Sequence, residues 1–252
     1  MKQNITEIDI STFKIEIKIP HVKYIEAFLS SRHCDELLPM FQKAENITKE
    51  ISESFAAYIA LKNNSILKDS IIIDVGCGNM PRNAGLITFK SNALCYAIDP
   101  ELNLIKTKEW VDKYNVRNLK YFRCRMEDFP IKYPDEYEFI SNSSKNIYGV
   151  FVHCHTNPAA YVDCSEKSKT SILKNFNQLF PEWNVIIAIP CCEELNFSSK
   201  ICKLNEISTE SENYELKHGI KLIKNKDDFG ILGSIDSKSG ARRRIKIYTK
   251  NK

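Results

Sequence analysis

Long apolar runs are missing from this chain of 252 residues. No stretch approaches the roughly 18 apolar residues of a membrane-spanning helix, and the N-terminus Met1-Lys2-Gln3-Asn4 opens no apolar signal region. We therefore expect neither membrane insertion nor secretion. The nine cysteines lack the regular spacing of a disulfide framework, which favours reduced thiols and a cytoplasmic location.

Glycine is scarce, with 8 residues in the chain, yet two glycines stand one residue apart after an apolar run. Ile71-Ile72-Ile73-Asp74-Val75 is typical of a buried parallel strand, and Gly76-Cys77-Gly78 predicts a tight loop after it. Pro81 suits the first turn of a helix. Together these indicate a cradle for a nucleotide-like ligand, because glycines let the backbone approach a ligand and a helix start supplies N–H donors.

A second predicted strand runs from Ala93 to Asp99 and again ends in an acid. In doubly wound sheets an acid at this place bonds ribose hydroxyls. The dinucleotide fingerprint requires a third glycine, and Pro81 occupies its place, which disfavours nicotinamide and flavin dinucleotides. An ordinary strand-to-helix turn in an α/β domain is the alternative. Arg82 does not complement the dipole of the predicted helix, so we expect it to be exposed or to face a ligand anion.

Asp74-x-Gly76-x-Gly78 with the downstream Asp99 resembles the S-adenosylmethionine (SAM) loop of class I methyltransferases. The resemblance implies a Rossmann-like α/β fold with a mostly parallel seven-stranded sheet and a closing β-hairpin. Many relatives place an acid where this chain has Arg125. The resemblance therefore implies that Met126 packs on the adenine and that Glu127 or Asp128 supplies the acid, with a solvated loop as the alternative. The implied SAM contacts are Asp74, Gly76, Cys77, Gly78, Asp99, Pro100, Met126 and Glu127.

The chain order predicts two regions, a cap over residues 1–65 and a SAM-binding domain over 66–252. The cap combines an alternating strand from Phe13 to Pro20 with helical spacing from Val22 to Leu61. It either roofs the ligand site or is purely structural. Residues 132–147 are predicted to form a long polar connection, and residues 229–235 and 242–248 the closing hairpin.

The ends of the fourth and fifth predicted strands carry further motifs. Val152-His153-Cys154-His155 and Ile189-Pro190-Cys191-Cys192 resemble a methyltransferase group with His-x-Cys-like and Pro-Cys-Cys strand ends that includes Trm13-like transfer-RNA methyltransferases. His153 and His155 are candidate catalytic bases because the imidazole pKa lies near neutrality. The alternative is that they are histidines packed at a strand end. The candidate substrate contacts are Asn157, Cys191, Arg242 and Arg244.

The same strand ends raise the question of a metal. Histidine and cysteine are zinc ligands, but on a strand His153 and His155 share one face while Cys154 points to the other. We therefore predict no metal. Asn157-Pro158-Ala159-Ala160 lacks the second proline and the aromatic residue of base N-methylases, which disfavours an exocyclic amine as acceptor.

The charge of the chain bears on the acceptor. The net charge is +4 and the pI about 8.5, which permits a nucleic-acid partner without requiring one. Arg242-Arg243-Arg244 is the densest basic run and forms either a phosphate contact or a solvated hairpin. We predict a SAM-dependent methyltransferase with RNA slightly favoured as acceptor. The alternatives are a small-molecule methyltransferase with a helical lid and an inactive binding protein of this fold. The sequence leaves the oligomeric state open.

Overall fold

The computed structural model describes residues 5–10, 13–18, 22–44, 47–152, 172–189, 220–229 and 243–250. Its first two strands, β1 (Ile5–Ile10) and β2 (Phe13–Lys18), pair antiparallel in a sheet of their own. The strand predicted from Phe13 is confirmed, and its partner is the segment that precedes it.

The remaining strands form one sheet. They are β3 (Ile71–Val75), β4 (Leu94–Ile98), β5 (Leu119–Phe122), β6 (Ile147–Val152), β7 (Trp183–Ile189), β8 (Ile220–Phe229) and β9 (Arg243–Lys250). Their order is β5-β4-β3-β6-β7-β9-β8. Strands β3 to β7 pair in parallel, and β9 runs antiparallel to both β7 and β8. The predicted α/β fold with a mostly parallel sheet is confirmed.

The helices begin with an N-terminal layer, as the 3.6-residue spacing predicted. This layer, called the helical cap below, comprises α1 (Val22–Leu29), α2 (Cys34–Phe41) and α3 (Ile47–Asn64). The later helices are α4 (Arg82–Ser91), α5 (Leu104–Lys113), α6 (Phe129–Lys132), α7 (Pro134–Ser141) and α8 (Ile172–Leu179), and a short 3-10 turn covers Met126–Asp128. No helix in the described ranges has both the length and the apolarity to cross a bilayer.

Both faces of the parallel strands are covered by apolar side chains. Alternate residues of β3 belong to different clusters: Ile72 packs with the helical cap and α4, whereas Ile71 and Ile73 pack with Phe151 and Trp183 on the opposite face. This follows from the two-residue period of a strand. It also explains why β3 reads as a continuous apolar run, because a strand buried on both faces needs no polar positions.

Two boundaries differ from the sequence prediction. The polar stretch 132–147 contains helix α7, which begins at Pro134 and buries Ile140. The partner of β9 is β8 (Ile220–Phe229), whereas the predicted strand began at Phe229. That prediction was based on the apolar run after Phe229, which lies outside the described residues. Strand β8 is highly charged, so its pairing with β9 was not visible as an apolar pattern.

Candidate cofactor-binding site

The predicted glycine loop lies at the carboxyl edge of the sheet, where the chain order reverses. Strand β3 has β4 on one side and β6 on the other. Open α/β sheets place ligands in the crevice at such a switch point. The loop that follows β3 is therefore in the position where this architecture binds ligands.

The two loop glycines have backbone conformations that other residues rarely adopt. Gly76 has φ 73° and Gly78 has φ 72°, in the left-handed region where a Cβ is strained. The Gly76 N–H donates to the carbonyl of Ile98 at 3.0 Å, which holds the loop beside β4. A Cβ built on Gly78 would meet nothing within 4 Å. Gly78 thus borders open space, and its conformation rather than crowding explains the glycine.

Asp74 holds the start of helix α4. Its side chain is fully buried, and it accepts hydrogen bonds from the Asn83 side-chain amide at 3.3 Å and from the Ala84 N–H at 3.1 Å. A carboxylate at a helix N-terminus satisfies free N–H groups and complements the dipole. Asp74 therefore stabilises the junction between the glycine loop and α4 from the protein interior. The Asn83 contact was not foreseen, because nothing in its sequence neighbourhood marks it.

Asp99 closes the loop from the side of β4. One carboxylate oxygen accepts from the Gly78 N–H at 2.9 Å, and the other accepts from the Glu101 N–H at 2.6 Å. The residue is 7% exposed. A carboxylate has about four lone-pair positions, so two backbone bonds leave capacity for further donors. The structure thus brings two of the predicted site residues, Asp99 and Gly78, into direct contact.

Cys77 lies between the two glycines with its side chain buried in the apolar cluster of the helical cap. Burial raises the pKa of its thiol well above the usual value, and the nearby Asp74 and Asp99 carboxylates raise it further. Such a thiol stays protonated at neutral pH and is a poor nucleophile. Its side chain supports the loop from the protein interior.

The predicted adenine side of the site lies after β5. Met126 is buried in the cluster that contains Phe122 and Phe129. Glu127 is exposed, and its carboxylate accepts a hydrogen bond from the Asn175 amide of α8 at 2.7 Å. Pro100 is exposed beside Asp99. Met126 therefore contributes an apolar surface, whereas the Glu127 carboxylate is already hydrogen-bonded to a side chain of α8.

Arg82 corrects the expectation that its side chain is exposed. The residue is 9% exposed, so it is not a solvated side chain. Its guanidinium donates to the Met40 carbonyl at 3.0 Å and to Asn79 Oδ1 at 3.3 Å, and it lies 3.7 Å from a Glu50 carboxylate oxygen. These partners are protein groups. The sequence offered no signal for them, because Met40 and Glu50 are distant along the chain.

The candidate acceptor-side residues His153, His155, Asn157, Cys191 and Arg242 lie outside the described residues. Arg244 lies on β9, of which the structure describes the backbone at this position. Their roles remain predictions, as does the absence of a metal. Among the described residues, no group of three or more His, Cys, Asp or Glu side chains is arranged to hold a metal ion.

The strand ends that precede those residues are described. Val152 of β6 pairs with Ile189 of β7 in parallel register. Strand β6 is also the neighbour of β3. The chain therefore leaves β6 and β7 side by side, next to the strand that carries the glycine loop.

A surface depression of about 520 Å³ is lined by Asp135, Phe139 and Lys145, among others. Its lining residues belong to α7 and to the turn before Ile147, the first residue of β6. The start of a parallel strand lies at the opposite edge from the glycine loop. We therefore assign this depression no part in the candidate site.

Comparison with known proteins places the fold. No protein-family model matches the chain, and no curated protein matches it in sequence. A solved candidate RNA methyltransferase from Pyrococcus horikoshii has a TM-score of 0.50 at 12% identity, over 92% of this chain and 98% of that one. An rRNA methylase from Streptococcus thermophilus has a TM-score of 0.46 at 12% identity, over 79% and 97% of the two chains. The first likeness shows a Rossmann-like α/β fold.

Proposed function

We propose that the protein is a SAM-dependent methyltransferase. The contact between the Asp99 carboxylate and the Gly78 N–H carries the proposal, because it joins the acid after β4 to an open glycine loop at the switch point of the sheet. Asp99 would accept bonds from the ribose hydroxyls. Gly76 and Gly78 would border the methionine part of SAM, and Met126 would pack on the adenine.

The start of α4 favours SAM over a dinucleotide. A pyrophosphate needs free N–H donors at a helix N-terminus. Here the Ala84 N–H donates to Asp74, the Gly85 N–H to the Pro81 carbonyl at 2.8 Å, and the Arg82 N–H to Met80. Pro81 has no N–H to offer. The Asp74 carboxylate thus already uses the Ala84 N–H that a phosphate would need, and SAM carries no phosphate.

The remaining cofactor contacts proposed are Cys77, Pro100 and Glu127. Cys77 would contribute through its backbone, because its side chain packs inward. Glu127 would accept from a ligand donor with the oxygen that Asn175 does not use.

RNA is the acceptor that we favour. The mildly basic chain and the Pyrococcus horikoshii structure, described as a candidate RNA methyltransferase, support it. SAM supplies an electrophilic methyl group, and His153 or His155 would take the proton of the accepting atom. Asn157, Cys191, Arg242 and Arg244 would contact the substrate. Assignment to the Trm13-like group rests on the short motifs at residues 152–155 and 189–192.

We also propose a cytoplasmic location, with the chain divided near residue 65 into the cap and the SAM-binding domain. The described cysteines Cys34, Cys77, Cys95 and Cys124 are all free thiols, which suits a reducing compartment.

Titration calorimetry with SAM and with NAD tests the cofactor. We expect SAM to bind and NAD not to bind, and Asp99→Ala to weaken SAM affinity by about 30-fold, or about 2 kcal/mol. Asp112→Ala, which removes an exposed acid on α5, is the matched control and should bind SAM like the wild type. Unchanged affinity in Asp99→Ala would refute the proposed site.

Radiolabelled methyl transfer into RNA, protein and metabolite fractions tests the acceptor. Label in RNA that is lost in His153→Ala supports our proposal. Label confined to small metabolites would favour the alternative with a helical lid. SAM binding with no transfer into any fraction would favour the inactive binding protein.

A further inference from the structure

Arg82 is a buried cation that joins three separate parts of the molecule. Its guanidinium donates to the carbonyl of Met40 in α2 and to the side chain of Asn79 in the glycine loop. It also lies 3.7 Å from Glu50 in the first turn of α3. A planar guanidinium with five donors can serve several partners at once, which a lysine ammonium on a thin stem does less well.

The position of Arg82 is unfavourable for α4 itself. A cation in the first turn of a helix opposes the dipole, and burial of a charge is costly. Burial lowers the pKa of Arg82, and the Glu50 carboxylate offsets part of that lowering. The partners explain the position instead. Met40 lies near the C-terminus of α2, where carbonyls lack helical partners, and Arg82 satisfies one of them.

The third partner belongs to the candidate site. Asn79 directly follows Gly78, and its own carbonyl accepts the Asn103 N–H at 3.1 Å. Gly78 is in turn held by Asp99. The loop is thus fastened on one side to the end of β4 and the start of α5, and on the other side to the helical cap through Arg82.

We propose that Arg82 is a positioning residue through which the helical cap sets the conformation of the SAM-binding loop. This inference rests on the proposed function. Arg82 acts on the ligand through Asn79 and makes no contact with it. Because coupling between two sites is reciprocal, SAM binding should in turn tighten the helical cap.

A double-mutant cycle read by SAM calorimetry tests the route. We expect Arg82→Met to weaken SAM affinity about tenfold and Asn79→Ala to weaken it similarly. In the Asn79→Ala background, Arg82→Met should change SAM affinity by less than about twofold, because the Asn79 side chain through which Arg82 acts is already absent. Arg117→Met is the control, because Arg117 is an exposed arginine that also donates to an asparagine side chain, at 3.2 Å. It should leave affinity unchanged.

Two further variants separate positioning from a loss of folding. Glu50→Gln keeps the shape of its side chain and should weaken SAM affinity about threefold, and Arg82→Lys should recover part of the affinity that Arg82→Met loses. Hydrogen exchange should show slower exchange in residues 34–64 when SAM binds the wild type, and no such change in Arg82→Met at saturating SAM.

The outcomes are distinct. Wild-type affinity in Arg82→Met and Glu50→Gln, or effects of Arg82→Met and Asn79→Ala that multiply in the double variant, would overturn the inference and leave the proposed function intact. Failure of the wild type itself to bind SAM would overturn both.

Discussion

The carboxyl ends of β3 and β4 lie side by side and have the same sequence pattern, yet their two aspartates make different contacts. Each strand is apolar and carries an aspartate near or just after its end, and the two pair in parallel from Ile71 to Val75. Asp74 is fully buried and accepts from the first turn of α4, whereas Asp99 is 7% exposed and accepts from the Gly78 N–H of the glycine loop. The difference teaches that an acid at a strand end can hold the start of the following helix or hold the loop of the neighbouring strand.

The largest expected effect is on stability, from removing the interior acid. Asp74→Ala leaves the Asn83 amide and the Ala84 N–H buried without their carboxylate, so we expect a loss of about 3 kcal/mol in the free energy of unfolding. Asp99→Ala frees N–H groups that water can reach and should cost about 1 kcal/mol. Urea unfolding of both variants measures the comparison. Equal losses would contradict the division of roles.

The second prediction concerns the buried thiol of Cys95 on β4, which pairs with β3. Burial, with a contribution from Asp74, raises the pKa of its thiol from 9.0 to about 12. The unfolded thiol therefore loses its proton first as pH rises, so the stability it contributes is complete below pH 9 and is lost as pH rises towards 12.

Cys95→Ala removes this dependence. Between pH 8.5 and 10.5 the wild type should lose about 2 kcal/mol more stability than the variant. Urea unfolding at the two pH values measures it, with Cys34→Ala as a comparison in which the thiol is less deeply buried. Parallel pH profiles for wild type and Cys95→Ala would contradict the prediction.

The smallest effect concerns the loop between the two acids. Gly78→Ala places a Cβ in open space but at φ 72°, so backbone strain alone should cost about 1 kcal/mol of stability. SAM affinity should fall as well, because the new methyl group would occupy the open space in which we propose that SAM binds. Asn92→Ala imposes similar strain at φ 55° at the end of α4 and should leave SAM affinity unchanged. Thermal unfolding and calorimetry measure the two quantities.

Local patterns predicted much of the fold. The isoleucine run of β3 and the spacing of apolar residues from Val22 to Leu61 were sufficient for a buried strand and the helical cap. The polar, tyrosine-rich sequence of α7 was not, because its burial depends on a single face around Ile140. Strand β8 was placed too late, since pairing with β9 rather than an apolar pattern defines it.

The candidate site divides in the same way. Asp99 and the two glycines were predicted from spacing, because a strand, a tight turn and a second strand are determined by residues near one another in sequence. Asn79, Asn83 and Arg82 were missed or misread. Asn79 accepts from Arg82, and Asn83 donates to Asp74. Arg82 itself contacts Met40 and Glu50, which are distant along the chain.

The sequence by itself determined the strand–glycine loop–helix unit and the acid that completes it, because backbone conformation and apolar periodicity are local properties. Only the tertiary structure decided which acid holds the start of α4 and which holds the glycine loop, and that Arg82 joins the helical cap to the loop. Those outcomes depend on burial and on hydrogen bonds between segments far apart in the chain, which no local pattern encodes.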